Sequence, residues 1–444
     1  MTVLILRALL GVVCLLGLLY LCSTDRKAIN WRLIGGGLLL QLILAITFFG
    51  APGVTNTILE PVAAFFVRIT DFSMDGAQLV LGKLVDIPTM ERVLGPDSGF
   101  IFAFRVLPTI IFFSALTSAL YYLGILQRIV FVFAWVMKRM MKLSGAESLA
   151  VAGEVFLGQT ESALLVKPYL PKMTRSEIAA MMVGGMGTIA GGVMAAYIAK
   201  LGGTSDAERI KFGTWLLCAS LMNAPACIVA AKMLVPESEP INEDLTVPRE
   251  KTGANFFDAL AAGTTEGLHL ALNVGAMLVS FVAFAALMNW ILGGLGSVIP
   301  VGGGWALNDW IAVTSGNVFS SLSLQSIFGS LMTPIAWLMG VESADLLRAG
   351  QLLGTKLALN EYVAYDQLGS FKQDGLMSPR TIFLCTFALC GFANLGSIGI
   401  QLGGMAVLAP EKRPVLAGLG IRALVGGTLA SILTATIAGV FYRG

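Results

Sequence analysis

Five polar side chains lie close together in an otherwise apolar part of this chain. They belong to the stretch 153–169 and are Glu154, Gln159, Thr160, Glu161 and Ser162. Placing an ionisable side chain at the centre of a bilayer costs about 2.5–3.5 kcal/mol even on the most lenient scale, so an intramembrane glutamate is usually functional. A second stretch, 353–366, interrupts its apolar residues in the same way with the pair Asn360 and Glu361. The sequence therefore predicts two related polar sites inside a membrane.

The composition is that of an integral membrane protein. Of the 444 residues, 56% are hydrophobic and 13% are charged, and the mean hydropathy is +0.81. Soluble domains contain about 25% charged residues. Only helices and closed barrels can satisfy their backbone in lipid, and the long apolar runs without alternation exclude a barrel. We therefore expect an all-α, multi-pass protein of the inner membrane with about eight spanning helices.

Charge, cysteines and histidines exclude other classes. The formal net charge of +2 is too small for a nucleic-acid surface. The six cysteines fall in apolar segments without a C-x-x-C pair, which is typical of small core residues. With one histidine and no H-E-x-x-H motif, the usual arrangements of an intramembrane enzyme are missing. We expect neither catalysis nor a covalently bound cofactor.

Two parts of the chain show the same order of elements. Each has an amphipathic helix, a short hairpin interrupted by polar residues, and a Gly-rich span with a Thr-Ile or Ser-Ile step. Short, glycine-interrupted segments at corresponding positions indicate a transporter site at the interface of an inverted repeat, and the hairpins are predicted to be re-entrant. The predicted domains are N-terminal scaffold helices at 1–126, a first transport repeat at 127–235, a polar loop and scaffold span at 236–304, and a second transport repeat at 305–444.

Some predicted segments are less regular than the rest. We predict one span at about 178–201 and another at 212–234, interrupted at Asn223-Ala224-Pro225. The polar loop 236–258 is expected to lead to an interfacial helix ahead of a span at about 268–295. Two further predictions are an interfacial helix within 305–340 and a span interrupted at its middle at 381–403.

The polar residues of the two hairpins suggest the chemistry of the ligand. Hairpins that meet at the membrane midplane would bring together Gln159, Thr160, Glu161, Asn360 and Glu361. Such a site offers carboxylates, amides and a hydroxyl but no arginine or lysine clamp. It suits an uncharged ligand with hydroxyls and ring nitrogens, whereas two carboxylates would repel a phosphate. A carboxylate pair in low dielectric binds a cation or takes a proton, so cotransport with Na⁺ or H⁺ is predicted.

Other interpretations of the same residues remain open. Glu161 and Glu361 could cap broken helices inside the fold, and the amides and hydroxyls could form interhelical hydrogen bonds. A cation channel could also use glutamate pairs, although a channel more often repeats one filter by symmetry than alternates two unlike hairpins. Saturable, gradient-driven uptake would distinguish a transporter of a neutral, hydroxyl-rich solute from a channel.

Five motifs, in order along the chain, resemble the concentrative nucleoside transporter family. They are GQTESALLVKPYL at 158–170, GTIAGGVMAAY at 187–197, NAPACIVAAKMLVPESE at 223–239, TKLALNEYVAY at 355–365 and GFANLGSIGI at 391–400. The resemblance implies a secondary active symporter that imports nucleosides of the uridine, cytidine and adenosine class. It also implies a homotrimer in the lipid membrane, in which a transport domain moves like an elevator against a scaffold.

The resemblance also implies roles for individual residues. The implied substrate ligands are Gln159, Thr160, Glu161, Val193, Glu361, Phe392, Asn394 and Ser397. The implied sodium ligands are Glu154, Thr188 and the backbone carbonyls of Leu157 and Ile189. Sodium-coupled members of the family usually have asparagine where this chain has Glu154. That carboxylate could bind Na⁺ or could carry a proton that replaces Na⁺, so the resemblance leaves both coupling ions open.

Overall fold

The computed structural model describes residues 2–50, 52–95, 99–159, 161–203, 205–241 and 253–442. Thr160 and the centre of the predicted polar loop, residues 242–252, lie outside the described residues. In the described part, seven helices are long and apolar enough to cross a membrane. Two shorter apolar helices, Pro379–Leu389 and Leu395–Leu408, together occupy the place of the remaining predicted span. The predicted all-α membrane fold is confirmed.

The described residues of the N-terminal part contain seven α-helices, together with short π-helical and 3-10 segments. They are α1 (Thr2–Leu21), α2 (Trp31–Ala45), α3 (Pro52–Val54), α4 (Glu60–Leu81), α5 (Ile87–Leu94), α6 (Phe102–Tyr122) and α7 (Ile125–Met141). Helix α2 begins where the side chain of Asn30 accepts the N–H groups of Arg32 and Leu33. In α7 the buried residues recur every three or four positions, from Leu126 to Met141. This is the amphipathic helix that the sequence predicts ahead of the first hairpin.

The next five helices contain the first hairpin and a broken span. They are α8 (Gly145–Glu154), α9 (Glu161–Leu165), α10 (Arg175–Gly187), α11 (Gly191–Gly202) and α12 (Asp206–Leu234). The span predicted at 178–201 is present at Arg175–Gly202, but it is broken, because Thr188 leaves the helical conformation with φ −115° and ψ 172°. The Thr-Ile step at this point consists of β-branched residues, and two glycines follow it, so helix propensity is low. We call α8 and α9 the first hairpin, and α10 and α11 the first broken span.

Helix α12 corrects a second prediction. It runs without a break from Asp206 to Leu234, although Asn223-Ala224-Pro225 indicated an interruption. Asn223 is buried, and its Nδ2 atom donates to the carbonyls of Gly187 at 2.6 Å and Cys390 at 3.0 Å. Both acceptors lie where other helices end. The polar residue therefore supports breaks in neighbouring helices, and its own helix is continuous.

The central region differs most from its prediction. It contains α13 (Phe256–Val298), the strands β1 (Pro300–Gly302) and β2 (Trp305–Ala306), and α14 (Leu307–Thr314). The predicted interfacial helix and the span after it are one helix of 43 residues. At 1.5 Å per residue it is about 65 Å long, more than the roughly 30 Å of a hydrocarbon core. Gly263 and Gly267 let α13 approach α6 closely, and Ser118 donates to the carbonyl of Ala259 at 2.7 Å.

The C-terminal part repeats the order of elements found in α7–α12. Its helices are α15 (Leu324–Met339), α16 (Leu346–Ala358), α17 (Glu361–Gln373), α18 (Pro379–Leu389), α19 (Leu395–Leu408) and α20 (Arg413–Phe441). The region 305–340, for which an interfacial helix was predicted, contains the strand β2 and the two helices α14 and α15. The break between α18 and α19 agrees with the interrupted span predicted at 381–403. We call α16 and α17 the second hairpin, α18 and α19 the second broken span, α7–α12 the first repeat and α15–α20 the second repeat.

The two broken spans touch at their breaks. Gly391 has φ +133°, and a Cβ atom built on it would lie 2.8 Å from the carbonyl of Gly187. Only glycine fits both the backbone angle and the close approach. The long helices α12 and α20 pack beside these breaks, and α1 and α2 pack against α12 and α20. Asn223, which is fully buried and contacts both breaks, lies where the two repeats meet.

Candidate substrate and ion sites

Glu361, a predicted substrate ligand, joins three elements. It is the first residue of α17, directly after the N-cap residue Asn360, and is only 6% exposed. Its Oε1 atom accepts from the hydroxyl of Tyr197 on α11 at 2.8 Å. Its Oε2 atom accepts from Nδ2 of Asn394 at 3.0 Å. Both oxygens of this carboxylate are therefore oriented, one by each broken span.

Asn394 is fixed because it also begins a helix. Its Oδ1 atom accepts the N–H of Ser397 at 2.9 Å as the N-cap of α19, so Nδ2 points to Glu361. Ser397 is buried. Phe392 lies in the same break, with its carbonyl accepting the N–H of Asn394 at 2.9 Å. Phe392 and Val193, which lies in the first turn of α11, are partly buried against the main core.

The tip of the first hairpin carries the other predicted glutamate. Residues 155–159 lie in the turn that follows α8 and precedes α9. Glu161 closes this turn, because its Oε2 atom accepts the N–H of Gly158 at 2.9 Å. Its neighbour Thr160 lies outside the described residues. The carboxylate of Glu161 is thus held by its own hairpin, in contrast to that of Glu361.

Gln159 faces the surface between α10 and α19. A Cβ atom built on Gly185 would lie 2.8 Å from Cβ of Gln159 and 2.9 Å from Nε2 of Gln401. Gln401 is fully buried and donates through Nε2 to the carbonyl of Met182 at 2.9 Å. Among the described residues, the buried Oε1 atoms of Gln159 and Gln401 have no hydrogen-bond partner. Two unused acceptors therefore lie close to the same glycine.

Glu154, a predicted ion ligand, ends α8 in a fully buried position. Its Oε1 atom accepts from Oγ of Ser162 at 3.2 Å. Its Oε2 atom occupies the space that a side chain at Gly184 would take, and it has no partner in the described part of the chain. Thr188 donates to the carbonyl of Gly184 through Oγ1 at 2.9 Å. Carboxylate, hydroxyl and carbonyl oxygens converge here, and these are the ligands that hard cations prefer.

The turn of the first hairpin lies against the first break. The N–H of Gly191 donates to the carbonyl of Phe156 at 3.2 Å, which ties the start of α11 to the turn. Leu157 follows Phe156 in the turn, Ile189 lies in the break, and both are buried. The four residues for which the resemblance implies an ion site therefore belong to two segments that are in contact.

Three buried polar residues were missed by the sequence analysis. Tyr197 and Gln401 each lie six residues after the first residue of the second helix of a broken span. Lys356 on α16 is 1% exposed and donates through Nζ to the carbonyl of Ala388 at 2.9 Å and to Oγ of Ser431 at 3.2 Å. A lysine within an apolar hairpin was the available signal for this position.

The family models and relatives that match the chain are those of nucleoside transporters. Models described as "Na+ dependent nucleoside transporter C-terminus", "Nucleoside recognition" and "Na+ dependent nucleoside transporter N-terminus" match residues 215–439, 103–204 and 10–84. An uncharacterized transporter of Haemophilus influenzae is 40% identical over 98% of each chain. The nucleoside permease NupC of Helicobacter pylori is 34% identical over 98% of this chain and 97% of the relative.

A solved structure shares the whole architecture. The inward-facing, substrate-bound structure of CNTnw is 37% identical in sequence, with a TM-score of 0.86, over 98% of this chain and 99% of that one. This chain is a multi-pass protein of the inner membrane. It belongs to the concentrative nucleoside transporter family.

Proposed function

We propose that this protein imports nucleosides by cotransport with a cation, with Glu361 as the principal ligand of the ribose hydroxyls. The carrying observation is the position of this buried carboxylate, which both broken spans orient. A ribose hydroxyl can donate to a carboxylate oxygen and also accept from the amide of Asn394. Hydrogen bonds to a charged group are worth about 1.5–3 kcal/mol each. Ser397 in α19, three residues after the N-cap Asn394, is the further hydroxyl ligand in this proposal.

The nucleobase would lie nearer the first hairpin. Gln159 supports this proposal because its buried Oε1 atom lacks a partner among the described residues, and such an atom needs an explanation. A base N–H group would supply that partner. Thr160 and Glu161 would contact the same ligand from the hairpin tip. Val193 and Phe392 would pack against the faces of the base.

The coupling ion would bind beside Glu154. The unpartnered Oε2 atom faces the last turn of α10, and Thr188 and the carbonyls of Leu157 and Ile189 complete the proposed site. Na⁺ is favoured by the sodium dependence in the names of the matching family models. H⁺ is favoured by the carboxylate itself, because a proton on Oε2 would also neutralise it. Either ion would fix the first hairpin against the first broken span.

The proposed transport movement needs a fixed scaffold. Helices α6 and α13 pack along each other, and α1 and α2 pack against α12 and α20. We propose that α6 and α13 form the scaffold and that α1 and α2 travel with the two repeats, a narrower scaffold than the sequence predicts. Residues such as Trp290, which is 77% exposed, give α13 an apolar face that a homotrimer would cover.

Uptake into proteoliposomes tests this function. Uridine and adenosine uptake is measured with an imposed Na⁺ gradient at equal pH, and separately with an imposed pH gradient without Na⁺. Accumulation under the Na⁺ gradient supports Glu154 as a sodium ligand, and accumulation under the pH gradient alone supports it as a proton carrier. No accumulation under either gradient contradicts the proposal, and conversion of the substrate would identify an enzyme.

A further inference from the structure

The two hairpins reach equivalent positions of the two broken spans with side chains of opposite charge. Gly184 and Ala388 each lie seven residues before the first residue of the following helix, Gly191 and Leu395 respectively. Each therefore belongs to the last turn before a break. The inverted-repeat arrangement makes these two turns corresponding places in the fold.

The side chains that contact these turns come from the first arm of each hairpin. In the first repeat, the carboxylate of Glu154 lies against Gly184. In the second repeat, Nζ of Lys356 donates to the carbonyl of Ala388 at 2.9 Å. Both side chains are buried, with 1% of their surface exposed. Lys356 lies closer to its hairpin tip than Glu154 does, and its longer side chain still brings the charge to the turn.

The surroundings of Lys356 are those of a cation site. The ammonium contacts a carbonyl oxygen and, at 3.2 Å, the hydroxyl oxygen of Ser431. Ala388 lies at the C-terminal end of α18, where the helix dipole favours positive charge. Carbonyl and hydroxyl oxygens are also the ligand types found around Glu154. In the second repeat these oxygens already have a cation.

We propose that the ammonium of Lys356 is a tethered cation. In the second repeat it permanently occupies the position that corresponds to the coupling-ion site of the first repeat. This inference rests on the ion site of the proposed function. It follows that a single mobile cation accompanies each nucleoside, because the second position is never vacant. Glu361 lies five residues further along the same hairpin, so Lys356 and Glu361 contribute opposite charges to the second repeat.

The charges of the first hairpin support this assignment. Glu154 and Glu161 contribute two carboxylates, and no lysine or arginine in the described part of the chain forms an ion pair with either of them. Burying a carboxylate without a positive partner is costly, so the first repeat needs a cation from solution. The second repeat does not, since it supplies its own.

Chemical rescue tests the tethered cation. Lys356→Ala removes the ammonium and leaves space for a small alkylammonium ion. We expect uridine binding by the purified, assembled variant to fall at least tenfold and to recover saturably with added ethylammonium, but not with ethanol, the neutral control of similar size. Binding that stays weak in ethylammonium, or recovers equally in ethanol, overturns the proposal.

A second variant and a stoichiometry measurement cover the remaining outcomes. Lys356→Met keeps the volume without the charge, and we expect at least a tenfold loss of uridine affinity in the assembled protein, whereas wild-type affinity would overturn the proposal.

In wild-type proteoliposomes, the membrane potential that stops net uridine flux should give one charge per nucleoside, and two charges would overturn the proposal. If neither gradient drives uptake, the proposed coupling fails, while ethylammonium-dependent binding by Lys356→Ala still reports on the tethered cation.

Discussion

The two hairpins carry a glutamate at corresponding points of their tips, but the two carboxylates are held differently. Glu161 accepts from Gly158 within its own hairpin. Glu361 accepts from Tyr197 and Asn394, which belong to two other elements. The first tip is therefore closed on itself, whereas the second is bound to both broken spans. A ligand at the second tip can exchange hydrogen bonds with groups that are already oriented, which lowers the cost of binding.

The same comparison extends to charge. In the first repeat, Glu154 presents an unpartnered oxygen to the end of α10. In the second, Lys356 presents an ammonium to the end of α18. In the proposed function, one repeat recruits an ion and the other holds the sugar. The two repeats share the order of their elements, and the roles proposed for them differ.

The largest expected effect comes from the second tip. We expect Glu361→Gln to reduce uridine affinity at least 100-fold, because the neutral amide loses two charge-assisted hydrogen bonds, each worth about 1.5–3 kcal/mol. Binding is measured calorimetrically on the assembled protein. Glu342→Gln, at an exposed position ahead of the second hairpin, is the matched control. Wild-type uptake by Glu361→Gln would remove Glu361 from the substrate site.

A smaller effect of a different kind is expected at Glu154. Glu154→Gln should shift the cation concentration that half-saturates uptake about tenfold, with little change in the ratio of uridine to adenosine affinity, because the residue contacts Ser162 and α10 and lies apart from Glu361. Uptake is measured over a range of Na⁺ concentration and of pH.

Asparagine at the same position sharpens this test. Glu154→Asn introduces the residue that resemblance associates with sodium coupling, and an amide cannot carry a proton. We expect this variant to accumulate uridine under a Na⁺ gradient and not under a pH gradient alone. If either variant changes base preference and leaves cation dependence as in wild type, the ion site lies elsewhere.

We expect the hydroxyl of Tyr197 to contribute about tenfold to the affinity for uridine. Tyr197→Phe removes one hydrogen bond to the carboxylate of Glu361 and keeps the ring, which stacks near Tyr365 with ring centroids 4.5 Å apart. Loss of one such bond corresponds to about 1.5 kcal/mol. The matched control, Tyr365→Phe, removes a hydroxyl that donates to the carbonyl of Thr386 at 2.7 Å. Equal losses of uridine affinity in both variants would mean that the hydroxyl of Tyr197 is structural.

Local signals in the sequence were sufficient for some parts of the molecule. The spacing of apolar residues predicts α7, and the polar interruptions predict both hairpin tips. A carboxylate in an apolar segment is costly wherever it points, so Glu161 and Glu361 stand out without knowledge of their partners. The helix starts at Asn360 and Asn394 were not predicted from the sequence, although a local preference explains them, because both side chains cap the helix they precede.

Long-range contacts explain what could not be predicted. Asn223 and Pro225 resemble a break, yet α12 is continuous because the polar side chain serves the ends of two other helices. The Gly-rich segment at 184–192 could be a packing surface or a break, and only the contact between Gly187 and Gly391 decides it. Lys356 donates a hydrogen bond to the carbonyl of Ala388, which is 32 residues away in the chain. No local pattern contains such a pairing.

The smallest effect is expected at Gln401, the counterpart of Tyr197. Both lie six residues into the second helix of a broken span, but Tyr197 contacts a carboxylate and Gln401 donates to the carbonyl of Met182. Gln401→Met removes the side-chain donor to that carbonyl and changes the packing between Gln159 and Gln401 beside Gly185. We expect uridine affinity to change by about threefold or less, with a larger change in the ratio of uridine to adenosine affinity than Tyr197→Phe produces.

Tyr197→Phe and Gln401→Met together test whether the second hairpin binds the sugar and the first hairpin binds the base. If Tyr197→Phe weakens uridine and adenosine equally while Gln401→Met changes their ratio, the second tip binds the common ribose and the first tip reads the base. Competition of each nucleoside against labelled uridine measures both quantities in one assay. If Gln401→Met weakens both nucleosides equally, Gln159 is not a base ligand and the first tip contributes only to closing the site.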